Sequence, residues 1–301
     1  MKTAYTLENV ATFLRNLEGA NPASLQKLTE GHISQAFCFE NNHGAKYVLR
    51  ISNKRTDFDT DKYATDTFGS ALSVPKVIEI GEFESGTYYC ISTFVEGKTT
   101  NLLGEEELTA ALPSIQRSLA DIFRFDISAT SGYGNLNIST GNAEQPTCKG
   151  ATGDEIEEVG IDAFRAHAAN IGLDTALVDA FFTQFRDNLQ YASEVRRLVH
   201  GDPAFDNMLV EKGEVTAVID WAHVGYGDWM SDFSRLDFWW PGRYGDAKAF
   251  AKQYGLEIEY LDERRALYWA TNALWTIEFA DKAKSEDVSN WLREHINEKL
   301  V

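Results

Sequence analysis

Hydrophobic periodicity changes once along the 301 residues, and that change bounds the fold. Up to about residue 95 apolar residues alternate in short runs. Ala36 to Glu40 and Lys46 to Ser52 flank Asn41-Asn42-His43-Gly44, whose Asn and Gly accept positive φ, so the two runs predict a hairpin. Asp57 to Leu72 predicts a helix that ends before Pro75, and Val77 to Gly81 with Thr87 to Phe94 predicts a second strand pair. From Gly104 the spacing becomes helical: Leu108, Leu112, Ile115, Leu119, Ile122 and Phe123 form one face over Glu105 to Phe125. Asn142 to Gly153 is polar and Gly-rich, which predicts a loop. Helical patterning returns over Glu155 to Arg197 and Ala247 to Leu300. Between them Met208 to Val210 and Val215 to Ile219 flank Glu211-Lys212-Gly213-Glu214 as a further hairpin. The expected class is α+β, with a β-rich lobe over residues 1–95 and a larger helical lobe over 96–301, joined near Phe94 to Lys98. The length suits two such lobes.

Charge narrows the partners. Lys and Arg number 28 against 46 Asp and Glu, a net charge of −18. A nucleic-acid partner needs a basic face, so none is expected. The acidity serves either solubility or the attraction of a polycationic substrate, and the sequence leaves both open. No apolar run reaches the roughly 18 residues of a membrane span. Met1 to Leu17 mixes Glu8, Arg15 and Asn16 into its apolar positions, so it reads as a first amphipathic helix rather than a signal peptide. The expected location is the cytoplasm, the expected state a monomer. Cys38 and Cys90 lie in apolar runs and read as core residues; with Cys148 they show no metal spacing and no disulfide framework.

Chemistry concentrates in Leu198-Val-His-Gly-Asp-Pro-Ala-Phe-Asp-Asn-Met-Leu-Val210 and Val215-Thr-Ala-Val-Ile-Asp-Trp221. Asp202 follows an apolar strand end and precedes a proline that cannot extend a ladder. Asn207 precedes one hairpin arm and Asp220 follows the other, so the two arms can bring them side by side. An amide oxygen and a carboxylate are hard ligands suited to Mg²⁺, which shares its remaining positions with water and phosphates. Asp202 is left to accept a proton. The alternative is an acidic hairpin with surface carboxylates, which would not require this spacing. Asp228 and Asp232 read as caps of the following helix, and His223 as ordinary hairpin sequence.

Asp, four residues, Asn and a later metal-binding Asp is the catalytic-loop spacing of protein kinase-like folds. Here the forms are His-Gly-Asp and Ile-Asp-Trp, and they resemble those of the aminoglycoside phosphotransferase family. Thr29-Glu-Gly-His-Ile-Ser-Gln-Ala-Phe37, Tyr47-Val-Leu-Arg-Ile51, Val74-Pro-Lys-Val77, Ile80-Gly-Glu-Phe83, Tyr89-Cys-Ile-Ser92, Thr130-Ser-Gly-Tyr-Gly134 and Phe238-Trp239 resemble the members that act on hygromycin B. The similarity keeps its order over nearly the whole chain and is weakest from Asn137 to Leu189 and in the last forty residues. It implies a two-lobed protein kinase-like fold and an ATP-dependent phosphotransferase, with GTP as an alternative donor and Mg²⁺ as cofactor. Asp202 would be the catalytic base, Asn207 and Asp220 the metal ligands. Gly31 and Ser34 would lie over the phosphates, and Arg50 would replace the usual strand lysine, changing a point charge for a planar fork. Asp61 would replace the helix glutamate that pairs with that cation, unless it is an exposed helix charge. Thr93 and Val95 would line the adenine-binding linker. His200 would brace the loop rather than react.

The implied acceptor is an aminoglycoside, hygromycin B first. Asp237, Trp239 and Glu278 are candidate acceptor residues, because carboxylates and an indole face suit a small polycation. Asp246, Glu257, Glu259, Asp262, Glu263 and Asp281 enrich the same region in acid, although each equally fits a solvated helix face. Other acceptors stay open: choline, homoserine or a sugar amine. A metal-dependent phosphohydrolase built on His200, Asp202, Asp220 and His223, or a binding-only pseudokinase, are more distant readings.

Overall fold

The computed structural model describes residues 5–28, 34–203 and 206–300. They form two compact units, Met1–Ser118 with Asp206–Ala222, and Leu119–Phe205 with His223–Val301. The chain crosses between the units after 118, 205 and 222, so they do not follow a single boundary at 95/96. The reason is strand pairing: residues 98–99 and 208–218 ladder together, which draws the later hairpin into the first unit.

In the first unit α1 (Leu7–Arg15) precedes a five-stranded antiparallel sheet. Thr6 accepts from Asn9 N and caps α1. The strands are β1 (Ala20–Lys27), β2 (Gln35–Asn41), β3 (Lys46–Ser52), β4 (Val77–Glu84) and β5 (Thr87–Thr93), in the order β1-β2-β3-β5-β4. α2 (Arg55–Phe68) lies between β3 and β4 in sequence. One sheet face buries Phe37, Phe39, Leu49, Ile51 and Ile91 with Val10 and Leu14 of α1, while Val77 and Cys90 pack with Phe58 of α2. The expected turn at Asn41–Gly44 is present: Asn41 Oδ1 accepts from His43 N and Ala45 N at 2.9 Å each, and Gly44 has φ +80°. β1 was not expected from the sequence. Its pairing with β2 is interrupted between Asn21 and Gln26, which destroys the alternation. The α2 helix also stops earlier than expected, at Gly69, whose N–H bonds Thr65 O.

A small sheet completes the unit: β6 (Lys98–Thr99), β9 (Met208–Glu211) and β10 (Glu214–Val218), in the order β10-β9-β6. The β9–β10 turn places both Lys212 (φ +51°) and Gly213 (φ +82°) in the left-handed region. That two-residue geometry matches the twist of the flanking strands.

α3 (Glu105–Phe123) runs from the first unit into the second. The second unit has a three-stranded sheet, β7 (Gly134–Asn135), β11 (Gly225–Gly227) and β8 (Arg197–Val199), in the order β7-β11-β8. Its helices are α4 (Cys148–Val159), α5 (Ile161–Asn170), α6 (Thr175–Asn188), α7 (Trp229–Trp239), α8 (Ala247–Tyr254), α9 (Leu261–Ala283) and α10 (Glu286–His295). α9 is buried on nearly every side and packs against α5, α6, α7 and α10. The expected loop over 142–153 ends sooner than its glycines suggest. Thr147 caps α4, and Gly153 inside it packs closely, since a Cβ there would meet Leu189 Cδ2 at 2.9 Å.

α7 and α9 are joined by an ion pair out of water. Asp228 is the N-cap of α7, accepting from Met230 N at 3.0 Å, as the sequence predicted. It also accepts from Arg264 Nε at 2.8 Å and from Arg264 Nη2, and both residues are 1% exposed. Removing one partner strands a charge in the interior. Arg264→Met should therefore lower the unfolding free energy by roughly 3–5 kcal/mol, measured by urea denaturation. A loss below about 1 kcal/mol would show that the backbone amides on Asp228 suffice without Arg264.

Candidate functional site

In the first unit the β9–β10 ladder runs to Met208 opposite Val218, and Ile219 N then donates to Asn207 O at 2.9 Å. Asn207 and Asp220 thus leave the same open end of the hairpin, Asn207 buried. Asp220 has φ +61°, unusual for a residue with a Cβ, and turns the chain sharply off the strand. The next residue is pinned: Trp221 N donates to Asp61 Oδ1 at 2.8 Å, and its ring meets Phe68 at 5.6 Å between centroids.

Asp61 is buried on α2, not an exposed helix charge. Its second oxygen accepts from Arg50 Nη2 of β3. Arg50 also covers the Phe58 ring, with Cζ 5.1 Å from the centroid. Burial opposes the Arg50 charge, but Asp61, with Cys90 and Asp220, more than offsets it and raises the guanidinium pKa. Arg50, Asp61 and Asp220 line a cavity of about 360 Å³ together with apolar residues that include Val48, Val77, Leu209 and Ile219. Thr93 and Val95 also line it. Ser34, just before β2, is not in its wall. Gly31 lies outside the described residues.

In the second unit His200-Gly201-Asp202 follows β8. Asp232 of α7 accepts from His200 N and from Gly201 N, at 2.6 and 2.9 Å. Asp232 is therefore a brace for this loop, not the helix cap expected from sequence. Burial pushes its pKa up to about 7, although the two amides favour the carboxylate and pull the other way. Gly201 has φ +82°, and a Cβ there would sit 2.1 Å from His223 O, so no larger residue fits. His200 is fully buried, and its Nδ1 accepts from Asp202 N at 3.3 Å.

The sequence reading missed Arg235. Its Nε donates to Asp202 Oδ1 at 2.6 Å, and its Nη1 donates to Asn272 Oδ1 of α9 at 3.0 Å. Burial alone would raise the Asp202 pKa, but Arg235, through charge and hydrogen bond, and then His200 and His223 bring it below the usual value. No motif marks Arg235; the available signal was an arginine on the helix after Ile-Asp-Trp.

The acceptor candidates Asp237, Trp239 and Glu278 each have partners within the second unit. Asp237 accepts from Gly242 N at 2.8 Å. Trp239 packs against Trp291, with tilted rings and centroids 4.4 Å apart. Glu278 holds Lys282 at 2.7 Å on α9. Much of the neighbouring acid is engaged internally: Asp246 caps α8, Glu257 pairs with Arg197, and Asp281 binds Asn170, His167 and Lys284.

The chain resembles known proteins over most of its length. A model described as the phosphotransferase enzyme family matches residues 24–269. Over 224 residues the chain is 35% identical to hygromycin-B 4-O-kinase of Escherichia coli, covering 73% of this chain and 63% of that protein, just under two thirds of its length. The crystal structure of aminoglycoside phosphotransferase APH(4)-Ia matches with a TM-score of 0.81 at 26% identity, over 98% of each chain. A thermostable mutant of APH(4)-Ia, in a ternary complex with AMP-PNP and hygromycin B, gives 0.77 at 26% identity over 96% of each. The fold is the mixed α+β, protein kinase-like one expected from sequence.

The Arg235 contact has a measurable consequence. Arg235→Ala should raise the Asp202 pKa, and Arg235→Lys should restore part of the depression, since lysine keeps the charge without the fork. Carboxyl ¹³C shifts of Asp202 followed against pH report both; an unchanged titration in Arg235→Ala would assign the depression to the histidines.

Proposed function

The chain belongs to the phosphotransferase enzyme family, and from that premise we propose that it transfers the γ-phosphoryl group of ATP, or GTP, to a hydroxyl of an aminoglycoside, hygromycin B first. The observation that carries the reading is the cavity of the first unit, mostly apolar in its lining, with Arg50, Asp61 and Asp220 also lining it. An apolar slot suits a purine, and a buried guanidinium suits the phosphates beyond it. Val95 lies in its wall with neither backbone group bonded among the described residues, leaving an N–H and a C=O for the base edge.

Asn207 and Asp220 fit a divalent metal. They offer one amide and one carboxylate oxygen at one hairpin end. Among the described residues no group of three or more His, Cys, Asp or Glu forms a closed cage. Mg²⁺ is held in this way, by few protein oxygens together with phosphates and water, and it would supply charge neutralisation on the nucleotide. Arg50 binds the phosphates, held in place by Asp61. Asp202 orients the acceptor hydroxyl and takes its proton as the oxygen–phosphorus bond forms and the bond to the leaving nucleoside diphosphate breaks. His200, Gly201 and Asp232 fix the loop that carries Asp202. The reduced cysteines and the absence, among the described residues, of any helix long and apolar enough to cross a membrane are compatible with the cytoplasm, where ATP is available.

Asp202→Asn should cut turnover by roughly 10²–10⁴-fold while nucleotide affinity stays within about twofold. Both are read on the same preparation, with hygromycin B, kanamycin, choline and homoserine as acceptors. Hygromycin B should be consumed fastest by the parent protein; a preference for choline or homoserine would move the acceptor assignment and leave the kinase assignment intact. Unchanged turnover in Asp202→Asn would remove Asp202 from its role.

Asp220→Ala should abolish the strengthening of nucleotide binding by Mg²⁺, and Asn207→Ala should only reduce it, because the carboxylate carries the charge. Calorimetric titration with and without Mg²⁺ separates the two, and equal small effects would count against the metal assignment.

A further inference from the structure

The cavity of the first unit contains a side-chain hydroxyl that the fold does not use. Ser92 of β5 lines that cavity and is 9% exposed. Its Oγ has no hydrogen-bond partner among the described residues. Other polar side chains of the lining are committed. Thr93 Oγ1 accepts from Lys76 N at 3.0 Å, and Thr99 Oγ1 donates to Asn101 Oδ1 at 2.6 Å. Trp221 Nε1 donates to Val218 O at 3.0 Å, and Lys98 pairs with Glu107 at 2.8 Å.

Strand register places the hydroxyl. Ser92 stands opposite Val48 of β3 and Val77 of β4, and Arg50 stands opposite Cys90. Facing residues, and residues two apart on one strand, share a face of the sheet. Ser92 therefore projects from the same face as Arg50, about 7 Å along the strand. Val48 and Val77 flank it, so it is a polar point in an apolar stretch of the lining. With phosphates at Arg50, the purine lies over Val48 and Ser92, and Val95 follows three residues further along the chain.

A hydroxyl donates and accepts. Adenine carries an amino donor at purine position 6, and guanine carries a carbonyl acceptor there. A site with one fixed donor or one fixed acceptor at that point rejects one of the two bases, because a desolvated polar group is left unpaired. Ser92 can accept from the amino group or donate to the carbonyl. Val95, with both backbone groups available, leaves the remaining base edge equally uncommitted. We propose that Ser92 reads purine position 6 in either sense, so that the cavity takes ATP and GTP alike as phosphoryl donors. The assignment rests on the reading of this cavity as the nucleotide site.

The whole protein is titrated calorimetrically with the Mg²⁺ complexes of ATP, GTP and purine riboside triphosphate, whose position 6 carries only hydrogen. The parent protein should bind ATP and GTP with Kd values within about tenfold of each other. Ser92→Ala should weaken both by about three- to tenfold, the span of one neutral hydrogen bond, and leave purine riboside triphosphate within about twofold. Ser92→Thr keeps the hydroxyl and should hold both within about threefold of the parent. Melting temperatures establish that the variants fold, and the comparison on the parent stands without them. A parent preference beyond about tenfold for either purine would overturn the assignment. So would ATP and GTP affinities that Ser92→Ala leaves unchanged, or an equal weakening of all three nucleotides. Each of these outcomes leaves the cavity a nucleotide site, whereas no binding of any of the three to the parent would remove that reading itself.

Discussion

Asp61 is the point on which the first unit's site depends. One carboxylate oxygen holds Arg50, and the other holds the amide of Trp221. A buried carboxylate with a single partner would be costly; with a guanidinium and a backbone donor its lone pairs are used. The same two bonds fix a cation on β3 and the residue next to Asp220, although strand and hairpin are far apart in sequence. The left-handed backbone at Asp220 is sustained by this arrangement, because Trp221 is anchored immediately after it and packed on Phe68.

The second unit repeats the device with different residues. Asp232 gathers two consecutive amides of the His-Gly-Asp loop, and Asp228 joins α7 to Arg264. Two carboxylates one helical turn apart on α7 therefore serve the loop and the helix bundle separately. That is why both looked alike in sequence. Each stands near the start of a helix, and only Asp228 has the non-helical backbone of a cap. A capping preference cannot separate them, since the partners of Asp232 lie more than thirty residues upstream.

Legibility followed locality. The β2–β3 and β9–β10 hairpins could be read because alternation and turn residues are adjacent in sequence. β1 could not, because an irregular stretch beginning at Asn21-Pro22 breaks its period. The α4 start at Cys148 was hidden by its glycines, of which Gly153 packs on Leu189. Arg50, Asp61, Asn207 and Asp220 could be singled out because their spacing resembles a known pattern. Arg235 could not, since its partner is set by the path of α7 and not by any motif. Over the acidic C-terminal region composition left two readings open. Counted as charges, those residues suggest a trap for a polycation. In the structure Glu257, Glu278 and Asp281 already hold Arg197, Lys282 and Lys284. Much of the net charge of −18 therefore speaks to solubility first.

Under the proposed function, the Arg235–Asp202 pair bears on what kind of base Asp202 would be. A carboxylate whose pKa is held down by a guanidinium is a weak proton acceptor, and a strong base would be placed away from such a partner. Phosphoryl transfer through a loose transition state asks little of the base, because the hydroxyl proton leaves late and bond breaking to the departing phosphate leads. Orientation then matters more than basicity. Arg235, tied at its far end to Asn272, fixes the direction of the Asp202 carboxylate. The ion pair thus trades proton affinity for a fixed direction, which suits a transferase that works mainly by positioning.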